Sequence, residues 1–430
     1  MKLKKFENIK FTDGGVCAAK GFKANGIQCG LAHKPLAATE DSSQQSVNAE
    51  PEKKKNDLAV ILADKMCTAA AVYTTNKVKG APIQVTKEHI SNGMARAVVV
   101  NSVNANTCNA DGVEKAKMMC SLTAKELGID ENDVIVASTG VIGQILPIEP
   151  IASGMKPLCE GLSYNGNKAA LEAIMTTDTQ PKEVAVQFEM GGKTCTMGGM
   201  LKGSGMIHPN MATTLTFITT DADISAELLQ RALSDVVKIT LNRVSVDGDT
   251  STNDMVCILA SGMAENAPLT KENNDFEIFR NALYAVMLNL GRMMARDGEG
   301  ATKLIECLCT GADTEKTAEI VAKSVITSSL FKAAMFGEDA NWGRILCAVG
   351  YAQADFDITK VDVSIGSEKG IIPVCKNGAG VEFSEEKAKE ILMEEEINIY
   401  INLNSGDASA VAWGCDLTYD YVKINGDYRS

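Results

Sequence analysis

The stretch that decides how the chain folds reads KGSGMIHPNMATTLTFI and spans residues 202–218. Its glycines and proline predict a turn, and the apolar and β-branched residues 215–218 predict a buried strand directly after that turn. Ala212 and Thr213 lie at the junction of the two. On spacing alone, a plain loop before a strand explains this pattern, so a chemical role for Thr213 needs further support.

Outward from this stretch, the chain alternates between strand and helix patterns. Short apolar runs predict further buried strands at residues 58–62, 97–100, 134–137, 256–260, 304–309 and 397–403. Longer periodic patterns predict helices at residues 111–127, 226–241, 276–294, 314–326 and 384–393. Alternating residues on both sides of Gly191-Gly192 predict a hairpin with arms 184–188 and 194–197. The predicted fold class is therefore α/β (α+β), with β-sheets flanked by helices and substantial antiparallel pairing.

A threonine that follows a small residue suits self-cleavage. A Thr hydroxyl is a weak nucleophile unless a base lies beside it. If the Ala212–Thr213 bond were cut, the new α-amino group of Thr213, with an ordinary pKa of about 7.7–8.0, could serve as that base. In the uncut chain the Thr213 hydroxyl could attack the Ala212 carbonyl and give an ester that water hydrolyses.

Two other short segments could contribute to a catalytic site. Thr139-Gly140 follows the predicted strand 134–137, where a hydroxyl and a backbone N–H could point to one place, as in an oxyanion hole; a mere turn fits the pattern as well. Glu299 lies between two glycines in residues 297–303, after a predicted helix. Its carboxylate is either an exposed turn charge or the partner of a cationic amine.

Segment 245–254 is rich in acids and begins like a calcium loop. However, Thr252 and Ile258 stand where such a loop requires glycine and glutamate. Calcium binding is therefore excluded, and the segment is interpreted as a polar turn close to the site.

Composition narrows the class of protein. The net charge of −13 disfavours nucleic acid and anionic membranes as partners, because both bind basic patches. No apolar run is long enough to span a membrane, and the basic N-terminus lacks the apolar segment of a signal peptide. Residues 34–56 are polar and rich in Ser, Gln, Glu and Lys, which predicts an exposed flexible insert without a catalytic role.

Cysteine and histidine usage argues against a metal centre. The chain has 13 Cys and 3 His, without a C-x-x-C pair, so a zinc site is not supported. Cys67, Cys257 and Cys347 lie in apolar runs, which predicts buried, reduced thiols in a cytoplasmic protein. Nucleotide-binding G-x-G-x-x-G and P-loop motifs are absent. No cofactor and no metal are expected.

Taken together, the polar segments closely resemble the bifunctional ornithine acetyltransferase / N-acetylglutamate synthase family. The matching segments are 138–140 (STG), 175–179 (MTTDT), 202–206 (KGSGM), 209–213 (PNMAT), 246–254 (VDGDTSTND), 297–303 (DGEGATK) and 425–430 (NGDYRS). They occur in this order over nearly the whole chain, and this order is far more specific than any one of them.

The resemblance implies autocatalytic cleavage into an α chain, residues 1–212, and a β chain, residues 213–430, which stay associated. Thr213 would take acetyl from N2-acetylornithine and pass it to glutamate, giving ornithine and N-acetylglutamate. Thr139 and Gly140 would form the oxyanion hole. The resemblance implies a substrate pocket lined by Thr176, Lys202, Thr213, Glu299, Asn425 and Ser430.

The same resemblance implies the architecture and the partners. The fold would be an αββα-type sandwich with a smaller C-terminal lobe, assembled as a heterotetramer of two α and two β chains. Whether acetyl-CoA is a second acetyl donor stays open. Two residues depart from the family pattern: Thr214 replaces the usual methionine, with little expected effect on attack, and Ser430 replaces a terminal threonine.

Two alternatives remain from the residues themselves. A related self-processed aminopeptidase or amidase would share the nucleophile but give the acyl group to water. A non-catalytic binding protein would use Thr213 as an ordinary strand residue. Cleavage at Thr213 separates the second alternative from the others, and glutamate-dependent transfer separates the first.

Overall fold

In a computed structural model, the chain folds into two β-sheets with helices packed against them. The structure describes residues 2–31, 55–208 and 214–426. The strands are β1 (Lys10–Thr12), β2 (Phe22–Ile27), β3 (Leu58–Tyr73), β4 (Met94–Asn101), β5 (Val134–Ser138), β6 (Glu183–Met190), β7 (Lys193–Lys202), β8 (Leu215–Thr220), β9 (Met255–Ala260), β10 (Leu304–Ala312), β11 (Asp362–Ser367), β12 (Gly370–Lys376), β13 (Ala379–Gly380), β14 (Glu396–Asn402) and β15 (Ala408–Cys415). The helices are α1 (Ala81–His89), α2 (Gly112–Leu127), α3 (Ile148–Glu160), α4 (Asn167–Ile174), α5 (Ala226–Ile239), α6 (Asn274–Arg296), α7 (Glu315–Thr327), α8 (Ser329–Phe336), α9 (Trp342–Gly350), α10 (Glu385–Leu392) and α11 (Tyr419–Gly426).

The larger sheet has the strand order β1-β6-β7-β8-β9-β3-β4-β5, with β2 on β3. Its parallel pairs are β8–β9 and β4–β5. The 16-residue strand β3 pairs with β4 along one edge, and with β2 and then β9 along the other. Its register with β4 shifts between Leu62 and Cys67, so β3 joins two differently paired halves of the sheet.

Helices cover the larger sheet on the outside. Along β9, Met255 and Cys257 belong to a core of strands and α4, whereas Val256 and Ile258 pack toward α5 and α6. This alternation follows from the two-residue period of a strand. At the other half of the sheet, α2 and α3 cover β3, β4 and β5. The predicted arrangement of packed sheets flanked by helices is confirmed.

A smaller C-terminal lobe contains the second sheet, with the order β13-β12-β11-β14-β10-β15. In it β10 and β14 run parallel, and the core includes Val321 of α7, Ile345 of α9 and Ile391 of α10. Helix α6 contacts β6 and β7 of the larger sheet as well as β10 and β15 of the smaller one. The helix therefore connects the two sheets.

Helix α6 positions the segment that follows it. The helix begins where the Asn273 side chain accepts the N–H of Phe276 at 3.1 Å, a cap that stabilises a helix by about 1 kcal/mol. Phe276 and Phe279 are fully buried, and each such side chain contributes about 1.5–3 kcal/mol. The helix ends at Arg296, and Asp297 follows it directly. The end of α6 therefore sets the position of residues 297–299.

The predicted strands, helices and hairpin are all present, although their bounds differ. Strand β3 continues to Tyr73, well beyond the predicted end at residue 62. The sequence patterns did not predict β1, β2, β11, β12, β13, β15, α1, α3, α4, α8, α9 and α11. In the described ranges, no helix is both long and apolar enough to cross a membrane.

One prediction about the cysteines was wrong. Cys67 and Cys257 are buried as expected, but Cys347 is exposed. It lies on α9, where Ile345, Ala348 and Val349 form the buried side, so the apolar run there is a one-sided helix. Most of the predicted insert, residues 34–54, lies outside the described residues.

Candidate active site

A cavity beside the ends of β5 and β7 collects most of the residues singled out from the sequence. It is lined by Ala105, Thr139, Gly140, Ile142, Thr176, Thr177, Lys202, Gly205, Met206, Ser251, Thr252, Asn253, Glu299 and Asn425. Six of these, Thr139, Gly140, Thr176, Lys202, Glu299 and Asn425, were predicted as site residues. Met206 is the lining residue that lies nearest in sequence to the predicted cleavage bond. Ala212, Thr213 and Ser430 lie outside the described residues.

Thr139 and Gly140 follow β5 at the edge of this cavity. The N–H of Thr139 donates to Asn101 O at 3.0 Å and that of Val141 to Val103 O at 2.9 Å. Between them, the Gly140 N–H makes no hydrogen bond to another described residue. Gly140 has φ of +130°, and a Cβ there would lie 2.1 Å from the Val103 carbonyl, so this close approach requires glycine.

Asn253 ties this turn to the neighbouring loops, a role that the sequence analysis missed. Its Nδ2 donates to Ala105 O at 2.6 Å and to Ser138 O at 2.9 Å, and its Oδ1 accepts from Thr107 Oγ1 at 2.6 Å. Because Ser138 directly precedes Thr139, these bonds fix the position of the Thr139-Gly140 turn. The signal was the polar segment 245–254, which was interpreted as a turn near the site.

A buried ion network lies beneath the cavity. The ammonium of Lys182 is 2.7 Å from Asp178 Oδ1 and 2.5 Å from Asp297 Oδ2. Asp178 also accepts the N–H of Thr176 at 3.0 Å and of Gly203 at 2.8 Å. Burial by itself opposes ionisation of Asp178, but Lys182 and Lys202 hold its pKa well below the usual value. This network joins three walls of the cavity.

The same network anchors the segment after α6. Asp297 accepts the N–H of Thr179 at 3.1 Å and that of Gln180 at 3.3 Å, and the hydroxyl of Thr179 as well. Nearby, Thr177 Oγ1 and Ser204 Oγ share a hydrogen bond of 2.7 Å. Loop 176–180 is therefore fixed both to the end of β7 and to the start of segment 297–303.

Glu299 is 8% exposed, so the alternative of an exposed turn charge is wrong. Its N–H donates to Ser204 O at 3.0 Å, and its Oε2 accepts from Asn425 Nδ2 at 2.8 Å. A Cβ on Gly205 would lie 2.3 Å from this carboxylate. Glycine at this position therefore lets the chain pass directly over Glu299.

Lys202 is the last residue of β7 and pairs with Leu215, the first residue of β8. The ion pairs between described residues do not include Lys202 or Glu299. Among the described residues, the cavity thus carries one ammonium and one carboxylate without a direct ion pair, although Lys202 also acts on Asp178 at longer range. A ligand with a carboxylate and an amine matches these charges.

A further carboxyl group lies next to β8 and β9. Asp254 is fully buried, which raises its pKa well above the ordinary value, opposed by a hydrogen bond from Ser251 and by the charge of Lys202. Its Oδ2 has no hydrogen-bond partner among the described residues. Thr214, the departure from the family pattern, is buried and shares a 2.6 Å hydrogen bond with Thr216.

The chain was compared with known families and proteins. Residues 43–430 match the ArgJ family. The arginine biosynthesis bifunctional protein ArgJ 1 of Clostridium acetobutylicum is 51% identical over 87% of this chain and 92% of its own length. The corresponding protein of Caldanaerobacter subterraneus subsp. tengcongensis is 46% identical over 98% of this chain and 100% of its own length.

A crystal structure of arginine biosynthesis bifunctional protein ArgJ from Bacillus halodurans is 49% identical, with a TM-score of 0.47. The match covers 49% of the present chain and 98% of the chain in that crystal structure. Over most of its length the present sequence thus matches one family, the one that the ordered polar segments suggested. The chain therefore belongs to the ArgJ family of arginine-biosynthesis enzymes.

Proposed function

We propose that this enzyme transfers acetyl from N2-acetylornithine to glutamate through an acetyl-Thr213 intermediate, after self-cleavage at Ala212–Thr213. One observation carries the proposal. Six residues expected to bind substrate or stabilise an oxyanion come from positions 139 to 425 and line the same cavity. Gly205 and Met206, a few residues before the proposed cleavage bond in the sequence, line this cavity as well.

The charges of the cavity suit both substrates. N2-acetylornithine carries an α-carboxylate and a side-chain ammonium, and glutamate carries carboxylates and an amine. Lys202 suits the carboxylate and Glu299 the ammonium, because charge-assisted hydrogen bonds are roughly twice as strong as neutral ones. Thr176 and Asn425 supply neutral polar groups beside them, and Ser430 is proposed to complete the pocket.

The proposed cleavage and transfer use one hydroxyl twice. In the intact chain, Thr213 Oγ attacks the Ala212 carbonyl, the peptide C–N bond breaks, and the resulting ester is hydrolysed by water to a carboxylate and a free hydroxyl. In the cut enzyme, the Thr213 amine accepts the hydroxyl proton as Oγ attacks the acetyl carbonyl. Ornithine leaves, and glutamate then takes the acetyl group from Thr213.

Thr139 and Gly140 are proposed to stabilise the negative oxygen in both reactions. Each attack converts a carbonyl into a tetrahedral oxyanion, which backbone N–H and hydroxyl donors stabilise. The Gly140 N–H has no hydrogen-bond acceptor among the described residues, which supports this role, since a donor already used within the fold would not be available. Loss of one such donor costs about 10²–10³-fold in kcat in other enzymes.

The two fragments are expected to stay together because they share one sheet. Strand β8 of the proposed β chain pairs with β7 of the proposed α chain, and β9 pairs with β3. Cutting the chain before Thr213 leaves these ladders unchanged. We further propose a heterotetramer of two α and two β chains, which light scattering of the purified protein would test.

Intact mass measurement tests the cleavage directly. Denatured wild-type protein should give two fragments, the second beginning at Thr213. The Thr213→Ala variant should fold, stay uncut and lose transfer, because its hydroxyl and its amine base are lost together. Persistence of intact wild-type chain after long incubation, or acetyl transfer by the variant, would contradict the proposal.

The acetyl acceptor and donor are tested separately. Release of ornithine from N2-acetylornithine should require glutamate and should yield N-acetylglutamate in equal amount. Release at the same rate without glutamate would instead indicate the self-processed hydrolase. Replacing N2-acetylornithine with acetyl-CoA in the same assay tests the second donor, which we include in the proposal as a co-substrate.

A further inference from the structure

The chain immediately before the proposed cleavage site is held by one short loop. We call residues 245–250 the Asp247 loop. Both carboxylate oxygens of Asp247 accept backbone N–H groups, that of Met206 at 2.7 Å and that of Ile207 at 2.8 Å. In addition, Val246 N–H donates to Ile207 O at 2.8 Å, and Thr250 Oγ1 donates to His208 O at 2.8 Å.

These hydrogen bonds stabilise an unfavourable backbone conformation at Met206. Met206 has φ of +58°, the left-handed region, which a residue with a side chain adopts at a cost of about 1–3 kcal/mol unless its surroundings fix it. Asp247 accepts the N–H of this residue and of the next one, so it stabilises the bend. Asp247 itself does not line the cavity.

The chain is equally fixed on the other side of the proposed cleavage site. Met255 N–H donates to Thr214 O at 2.8 Å, and Leu215 pairs with Lys202 and Met255. The segment between His208 and Thr214 thus connects two anchored ends. Intramolecular attack is fast when the reacting groups are held in the correct geometry.

We infer that Asp247 is a positioning residue for self-cleavage: by fixing the backbone of Met206 and Ile207, it anchors the chain on the N-terminal side of the proposed cleavage bond. The inference rests on the proposed function. Once the bond is cut, Thr213 remains joined to β8 through Thr214, and residues 206–208 no longer precede it in a continuous chain, although Met206 still lines the cavity. Asp247 is therefore expected to affect cleavage more strongly than acetyl transfer.

The test follows cleavage of the full chain after cell-free synthesis, by denaturing gel and intact mass. The Asp247→Asn variant keeps one acceptor oxygen and loses the other, so we expect cleavage at least about tenfold slower than in the wild type. The Asp249→Asn variant is the matched control: Asp249 is in the same loop but exposed, and we expect wild-type cleavage. After complete cleavage, transfer per cut molecule by Asp247→Asn should stay within about threefold of wild type.

A second variant guards against indirect effects, because Asp247 also acts on Tyr421 of α11: burial, and then the charge of Asp247, raise the pKa of the Tyr421 hydroxyl. Thr250→Val removes the bond to His208 O without touching α11, and should slow cleavage about threefold or more. If Asp247→Asn fails to fold, Thr250→Val decides. The inference would be overturned if Asp247→Asn or Thr250→Val were cleaved as fast as Asp249→Asn. It would also be overturned if transfer per cut molecule fell by the same factor as the cleavage rate. Intact wild-type chain would overturn the proposed function as well.

Discussion

The ion network and the cavity both contain lysine ammonium and carboxylate groups, but the two regions differ in whether these groups form ion pairs. In the network, Lys182 contacts two carboxylates, and Asp178 also accepts two backbone N–H groups. In the cavity, Lys202 and Glu299 have no ion-pair partner among the described residues. The charges of the network thus form direct ion pairs, whereas the described ammonium and carboxylate that line the cavity form none and are available to a ligand.

The difference has an energetic origin. Buried charges are costly unless they are paired and hydrogen-bonded, so a network serves stability only when it is complete. An unpaired charge at a cavity wall is tolerated because water or a bound ligand satisfies it, and it then contributes to binding. The comparison predicts that variants of the network lose stability and that variants of the cavity lose activity.

The largest expected effect is on the network. Lys182→Met keeps the length of the side chain but removes the ammonium in direct contact with Asp178 and Asp297, so both carboxylates stay buried and only Asp178 keeps the longer-range charge of Lys202. Removing one partner from a buried ion pair typically costs about 3–5 kcal/mol. We expect a loss of this size in the free energy of unfolding, measured by urea denaturation in the uncut Thr213→Ala background.

A matched variant separates this effect from the loss of any lysine. Lys193 is exposed and lies at the start of β7, in the β6–β7 hairpin that begins directly after Lys182. Lys193→Met should change stability by less than about 0.5 kcal/mol. Adding Asp178→Asn to Lys182→Met should recover part of the lost stability, since one uncompensated carboxylate is removed. Equal stability of the two lysine variants would contradict the assignment of the network.

The cavity variants should show a smaller effect, and on activity. Lys202→Met and Glu299→Gln each remove one proposed charge-assisted contact to substrate, worth about 1.5–3 kcal/mol. We therefore expect kcat/KM to fall about 10–100-fold, mainly through KM. Steady-state kinetics with N2-acetylornithine and glutamate measures this, with Lys193→Met as the control. Unchanged kinetics would remove the residue from the substrate site, and a stability loss as large as that of Lys182→Met would contradict the comparison.

How far the sequence predicts these regions depends on the range of each signal. Strands such as β8 and β9 were predictable because every residue in them is apolar or β-branched. Helix α1 was missed because Pro82 and five polar residues among its nine hide its pattern, and the edge strand β1 is too short to show a period. Cavity residues were predicted from motif order, but the contacts of Asn253 and Lys182 join positions more than 100 residues apart, which local patterns do not encode.

The smallest expected effect is the acid response of the network, and it sharpens the comparison further. The pKa of Asp178 is lowered in the folded enzyme by Lys182 and Lys202, against the opposing effect of burial. Its ionised form therefore adds stability that is fully present above the unfolded pKa of about 3.9 and is lost as pH falls through the lower folded pKa. One proton changes the free energy of unfolding by at most about 1.4 kcal/mol per pH unit. The prediction compares the free energies of unfolding of Thr213→Ala and of Thr213→Ala with Asp178→Asn added. The difference between them should be constant near neutral pH and should shrink below a pH of about 4. Urea denaturation at several pH values measures that difference, and a difference that does not change with pH would mean that Asp178 is not held in its charged form.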